Sequence, residues 1–234
     1  MRHLYKPRRA LKEIQKKVSK LLSQVPIADS VHGWVRGKSI KTAAQHHIGN
    51  CYLYHYDIDD YFDSVGSKLV YRLFVSELGC SPEIGKILTK LTTYKYSLPQ
   101  GSPCSTSIAN LVLSGFDSQI TQYVSKRTGV YTRFGDNIII SSRNRLPDVK
   151  WVVETSLRRV GLKMNKGKEI NAARIQRNGV KVIGIVIGSR LTVSRKFRNV
   201  VRAIMHQTKA QSSNLSLLGK IRFVQQFHPE FNKV

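Results

Sequence analysis

Two groups of carboxylates carry most of the chemistry available to this chain. Asp57-Ile58-Asp59-Asp60-Tyr61-Phe62 ends a segment of alternating character. Tyr131-Thr132-Arg133-Phe134-Gly135-Asp136-Asn137-Ile138-Ile139-Ile140 reads as a strand, a four-residue turn and a second strand, with Asp136 at the tip. Aspartates at the ends of two strands that meet in space can hold a pair of hard divalent cations about 3.5–4 Å apart, the arrangement that moves a phosphoryl group between two oxygens. Taken singly, each is the turn residue that many strand ends carry. The chemistry resides in the pair, Asp57 and Asp136.

A sheet has to bring them together. Between Cys51 and Asp57, Tyr52, Tyr54 and Tyr56 fall on one face and Cys51, Leu53, His55 and Asp57 on the other, the period of a strand. Leu11, Ile14, Val18, Leu21 and Leu22 have helical spacing, with lysines on the outer face. Residues 30–42 are Gly-rich and basic and read as a loop or short ribbon. A helix is predicted from about Ser67 to Leu78, stopping at Gly79, and another from the Ser81-Pro82 cap to about Tyr94. The loop 95–103 leads into one long helix carrying Ile108, Leu111, Val112, Phe116 and Ile120. After the Asp136 hairpin, Pro147 opens a helix, residues 161–168 form a basic turn, a strand pair ends in Val182–Ile187, and the chain turns helical again from Ser194. The order strand, two helices, loop, helix, two strands, helix, strand indicates an α+β domain with helices on one side of a central sheet.

Composition narrows the partner. The 234 residues include 39 Lys and Arg against 14 Asp and Glu, a formal charge of +25, and the pI is near 10.3. A small domain stays soluble with a net charge of roughly 2 to 8, so a polyanion such as nucleic acid is the better explanation. The basic residues recur along the whole chain, as in a folded protein with a charged channel. Cys51, Cys80 and Cys104 are far apart, without zinc-ligand spacing or a disulfide framework, and fit a reducing cytosol. No apolar run approaches the ~20 residues that span a bilayer, and the N-terminus lacks the apolar stretch of a signal peptide.

Several segments, in this order, resemble the motifs of reverse transcriptases, most closely the bacterial retron type. Asp57 to Phe62 resembles the first catalytic motif, and Pro99-Gln100-Gly101-Ser102-Pro103-Cys104-Ser105 with Asn110 resembles the Gln-Gly motif that lines the nucleotide site. Phe134-Gly135-Asp136-Asn137 stands where the family has Tyr-x-Asp-Asp. Gly161 to Lys168 and Val182-Ile183-Gly184 resemble the two following motifs; Arg2-His3-Leu4-Tyr5 and His32 to Ile40 resemble those of the fingers. The resemblance implies an α+β right-hand polymerase palm, an antiparallel sheet backed by helices: reduced fingers over 1–50, palm over 51–190 with a fingers insertion at about 67–100, and a short helical thumb over 191–234.

It also implies an RNA-directed DNA polymerase, a nucleotidyltransferase that adds dNTPs to a primer 3′-hydroxyl with two Mg²⁺ ions, Mn²⁺ being a substitute. Asp57, Asp136 and the Ile58 backbone carbonyl would hold the metals, with Asn137 in support. Ile58 also belongs to the nucleotide site, with Phe62 as a steric gate against the ribose 2′-oxygen, and with Gln100, Gly101 and Arg2. Lys168 would protonate pyrophosphate, and Arg36 and Lys38 would meet triphosphate or template. Simpler readings stand beside these: a core aromatic at Phe62, a Pro-Gly loop at 99–101, a solvated lysine at Lys168. The implied partners are a structured template RNA, an RNA/DNA duplex, and an effector protein or second polymerase chain, with no membrane. The implied setting is the bacterial cytoplasm and antiviral defence.

The sequence departs from the family pattern at Asn137, whose amide offers a neutral acceptor where a carboxylate is usual. Restoring aspartate there is expected to leave activity equal or higher. Ala43-Ala44-Gln45-His46-His47 and Val182-Ile183-Gly184 also depart from the retron pattern. An RNA-binding scaffold without catalysis, and a polymerase making RNA or untemplated DNA, remain open alternatives.

Overall fold

Strand alternation decides the architecture, which the computed structural model describes for residues 4–175, 179–208 and 215–232. Four antiparallel strands, β1 (Tyr52–Asp57), β2 (Gly129–Phe134), β3 (Asn137–Ser142) and β4 (Ile170–Arg174), lie in the order β2-β3-β1-β4. On one face Tyr54, Tyr56, Ile138 and Ile140 enter the main core with Phe74, Ile108, Phe116 and Leu157. The helices α1 (Arg9–Leu22), α5 (Pro82–Thr92), α6 (Ser105–Leu111), α7 (Ser114–Ser125) and α8 (Val149–Arg159) all contribute to this layer. In α1, Val18 and Leu22 turn inward and the lysines stay in water.

The second face is covered as well. Leu53 and Ile139 pack against Ala44 of α2 (Ile40–Gln45) and against a smaller antiparallel sheet, β5 (Val180–Val182), β6 (Ile185–Ile187) and β7 (Leu191–Val193). The alternation that puts tyrosines on one face leaves Leu53 and Ile139 on the other, and burying apolar surface is worth about 25 cal/mol per Å². Helices α9 (Arg195–Thr208) and α10 (Leu215–Gln225) close a third core through Val201, Leu217 and Val224, joined by Phe231 of the 3-10 turn Pro229–Asn232.

Three segments differ from the sequence expectation. The long helix is two, because Ser114 Oγ donates to Leu111 O and Leu113 N takes the tighter bond to Asn110 O, ending α6. The helix after Ser67 is α4 (Ser67–Arg72) followed by a π turn, Leu73–Glu77, in which Leu78 N reaches back five residues to Leu73 O. Val182–Ile187 is not one strand: Ile183 and Gly184 both take positive φ, 44° and 87°, and form the turn between β5 and β6.

Candidate active site

The site lies where β1 ends. Asp57 pairs with Asn137 across β1 and β3, and Ile58 N donates to Asp136 O at 3.0 Å. That register brings Asp57 and Asp136, 79 positions apart in sequence, to one rim. The basic turn after α8 zips onto the other edge, through Asn165 N to Asp57 O at 2.8 Å and Asp59 N to Lys163 O at 2.9 Å. Between these two bonds Ile58 stands opposite Met164. Asp60, at φ 39°, turns the chain into the short helix α3 (Tyr61–Ser64) and presents Phe62. The cleft so formed has a volume of about 490 Å³ and is lined by Tyr5, Trp34, Asp57, Ile58, Asp60, Tyr61, Phe62, Asp63, Gln100, Asp136, Asn165 and Lys168.

Asp57 is almost fully buried, and its Oδ1 is 3.4 Å from Lys168 Nζ, which reaches in from a half-exposed side chain. The ammonium is the ion-pair partner of this carboxylate.

Asn137 is tied on both ends. Its Nδ2 donates to Asp136 Oδ1 at 2.8 Å and to Phe134 O at 3.3 Å, and its Oδ1 lies 2.9 Å from His55 Nε2. An ionised carboxylate only accepts, so the NH₂ end must face Asp136 and the carbonyl end must face His55. His55 therefore carries its proton on Nε2. The relay His55–Asn137–Asp136 holds one oxygen of the Asp136 carboxylate.

Beneath the turn is a buried polar network. The Arg133 guanidinium is enclosed and donates to Asp117 Oδ1 and Oδ2, Asn110 Oδ1, Asn110 O and Gly135 O. Burial works against its charge, but Asp117 outweighs it and holds the guanidinium pKa above its ordinary value. Tyr131 Oη also donates to Asp117 Oδ1 at 2.6 Å. Asn110 Nδ2 donates to Gly33 O at 2.8 Å, so Asn110 sits behind the cleft and does not line it. The loop carrying Gly33 runs beside β2, with His32 N bonded to Arg133 O and Arg133 N to Ser30 O, both at 2.8 Å. A Cβ on Gly33 would lie 2.2 Å from Gly135 N, so only glycine allows this approach. Trp34 then rests on Gly135 and places its ring 5.5 Å from that of Phe62.

Of the residues singled out in the sequence, Asp57, Ile58, Phe62, Gln100, Asp136 and Lys168 line one cleft. Gly101 does not. At φ 104° its backbone packs against Tyr5 O, where a Cβ would stand at 2.9 Å, and Tyr5 N bonds Gln100 O. Asn137 lies behind Asp136. Lys38 is engaged with Asp29, Arg36 is exposed on the same loop, and Arg2 is outside the described residues. The sequence reading missed Tyr5 and Trp34 as lining residues, and Arg133 and Asp117 as their support. A charged Arg133 within the strand Gly129–Phe134 was the available signal.

Among the described residues no three His, Cys, Asp or Glu side chains converge as a metal cage. Two carboxylates beside an open cleft are a hard-oxygen donor set of the kind that binds a divalent ion together with substrate phosphates and water. The residues fit such an ion.

This fold is that of a polymerase palm. It is similar to apo telomerase from Candida tropicalis truncated from the C-terminal domain, with a TM-score of 0.55 at 10% identity, covering 79% of this chain and 45% of that one. Telomerase from the same organism in complex with a fragment of telomeric RNA gives a TM-score of 0.56 at 9% identity, covering 95% and 46%. Residues 1–187 match the family model described as reverse transcriptase (RNA-dependent DNA polymerase), and the chain belongs to the reverse transcriptase family. It is 33% identical to the Retron Ec86 reverse transcriptase of Escherichia coli over 88% of this chain and 65% of that protein. It is 29% identical to the Retron Mx65 reverse transcriptase of Myxococcus xanthus over 98% and 59%. The chain therefore spans about three fifths of the length of these relatives.

Proposed function

We propose that this chain is an RNA-directed DNA polymerase of retron type, extending a primer 3′-hydroxyl with dNTPs on a structured template RNA. The observation that carries the reading is the convergence of Asp57, Asp136, Phe62, Gln100 and Lys168 on one cleft in a chain of the reverse transcriptase family. The cleft belongs to a palm over residues 51–190, with reduced fingers before it and a short helical thumb after it.

Asp57, Asp136 and the Ile58 carbonyl are the residues to hold two Mg²⁺ ions, which when bound supply charge for the attacking and leaving oxygens. The chain's own groups do the rest. Lys168 neutralises Asp57 and stands within the same cleft, where its ammonium can donate a proton to departing pyrophosphate. Phe62, backed by Trp34, occupies the wall against which a ribose 2′-hydroxyl would clash. Asn137 orients Asp136 without adding charge. The charge of +25 suits the RNA/DNA duplex. We extend the proposal to a role in bacterial antiviral defence, with an effector protein or a second polymerase chain.

Primer extension on an RNA template tests this, with dNTPs or NTPs and Mg²⁺ or Mn²⁺. Templated DNA synthesis is expected from the wild type and none from folded Asp57→Ala or Asp136→Ala. Undiminished extension by either variant would refute the site, and an inert wild type would refute the activity.

A further inference from the structure

The turn between α5 and the Gln-Gly motif carries exposed aromatic surface. Tyr94 and Ser97 exchange backbone hydrogen bonds at 2.8 and 3.1 Å, so Lys95 and Tyr96 are the two central residues of a tight turn. Both are left-handed, at φ 47° and 66°. Glycine and asparagine are the residues that take this geometry readily; lysine and tyrosine adopt it at a cost. Packing does not offset that cost, because Tyr96 is 85% exposed and Tyr94 50%. The turn is nonetheless fixed from below: Ser67 N donates to Tyr96 O at 2.8 Å and Leu98 N to Val65 O at 3.1 Å. A strained, rigid ledge that holds two tyrosines in solvent is a feature with a function to find.

Its position indicates which. The Tyr5 ring lies 4.9 Å from that of Tyr94, and Tyr5 also lines the Asp57–Asp136 cleft beside Gln100. Lys95 Nζ lies 5.7 Å from the centre of the Tyr94 ring. Aromatic faces interleaved with a cation, running from the surface into the cleft, are what an unpaired nucleic-acid strand uses: each base has a π-face to stack and each linkage a phosphate to neutralise. A duplex hides its base faces inside the helix and would leave the tyrosines idle. A protein partner would also cover exposed tyrosines, but the continuity with the cleft and the basic charge favour a polynucleotide.

We infer that Tyr94, Lys95 and Tyr96 form a stacking platform for the single-stranded template just ahead of the paired region. The inference rests on the reading of the chain as a template-copying polymerase.

The test uses the full chain and primer–template duplexes that are blunt or carry a 5′ template overhang with 2-aminopurine at successive positions. The wild type should quench one or two overhang positions and bind the overhang substrate more tightly than the blunt one. Tyr96→Ala and Tyr94→Ala should lose the quench and weaken overhang binding by about fivefold or more, with blunt-duplex binding unchanged. The paired change Lys95→Asn with Tyr96→Gly relieves the turn. It should raise the melting temperature while still losing the quench, so misfolding cannot explain the loss. Unchanged quenching and affinity in these variants would overturn the platform, as would equal weakening on blunt duplex. If the wild type stacks the overhang but extends no primer, the polymerase reading fails and the platform stands; if it extends while the variants bind the overhang normally, the reverse holds.

Discussion

Arg133 and Asp117 form a two-point ion pair, Nε to Oδ1 at 2.8 Å and Nη2 to Oδ2 at 2.6 Å, with both side chains shut off from water. The pair lies beneath the turn that carries Asp136, and the same guanidinium donates to Gly135 O at 3.1 Å. The geometry of the site is thus fixed from below by a charge pair that never meets the cleft.

Removing one partner leaves a buried charge uncompensated. Asp117→Ala should lower stability by about 3–5 kcal/mol, read from urea unfolding. Replacing both, Asp117→Leu with Arg133→Met, should cost less, because a buried pair exchanged for apolar groups is often close to neutral. That double variant should still incorporate nucleotides poorly, since the guanidinium bonds to Gly135 O and to Asn110 are then gone. A wild-type urea midpoint for Asp117→Ala would show that the pair contributes nothing to the fold.

Asn137→Asp reverses the expectation drawn from sequence. The amide donates to Asp136 Oδ1 at 2.8 Å and accepts from His55. An aspartate would lose the donor and set two carboxylates in that contact. Incorporation should fall by about 5- to 150-fold, the range for an unmade hydrogen bond of about 1–3 kcal/mol. The deficit should narrow as Mg²⁺ is raised. A Mg²⁺ titration of primer extension, with Mn²⁺ affinity measured by electron paramagnetic resonance, decides this; activity at or above wild type at every Mg²⁺ concentration would count against the relay.

Much of the site was legible because its spacing is local. Asp57, Phe62 and Lys168 each sit in a short segment whose turn chemistry is visible in the residues themselves. The sheet followed from alternation, and its helical layer from helical period. What was not legible is set by distance in the chain. The second face of the sheet depends on Leu53 and Ile139 meeting Val182, Ile185 and Ile187, and no local pattern reports that. Asn137 reads as a weakened ligand in sequence and becomes a relay only when His55 is placed 2.9 Å away. Gly101 reads as a nucleotide-loop glycine, whereas the backbone of Tyr5 is what excludes a side chain there.

Phe62 is half-buried, with Trp34 at 5.5 Å and Tyr61 at 5.8 Å between ring centres, and it lines the cleft. Phe62→Ala removes the wall, at the cost of a partly buried contact at the edge of the main core. Discrimination between dNTPs and rNTPs should fall by about tenfold or more, seen as rNTP incorporation in competition assays. An unchanged ratio in the folded variant would leave Phe62 as packing for Trp34 and Tyr61.

The last expectation concerns acid. His47 is fully buried between Ser141 Oγ at 2.7 Å and Thr132 Oγ1 at 2.8 Å. Burial pushes its pKa down to about 3, with further lowering from His46 and His32. In the unfolded chain it titrates near 6.5. Between those values the unfolded state binds a proton that the folded state refuses, so stability rises with pH across this window. It is complete above about pH 6.5 and falls by about 1.4 kcal/mol for each pH unit below. His32, lowered to about 4 by burial and by Lys38, acts in the same direction over a shorter pH window. The urea midpoint should be flat from pH 8 to 7 and drop steeply from 6 to 4. His47→Gln retains polar contact with both hydroxyls and takes up no proton, so its profile should be flatter over the same range. If the two profiles are parallel, the acid sensitivity arises elsewhere and His47 has no part in it.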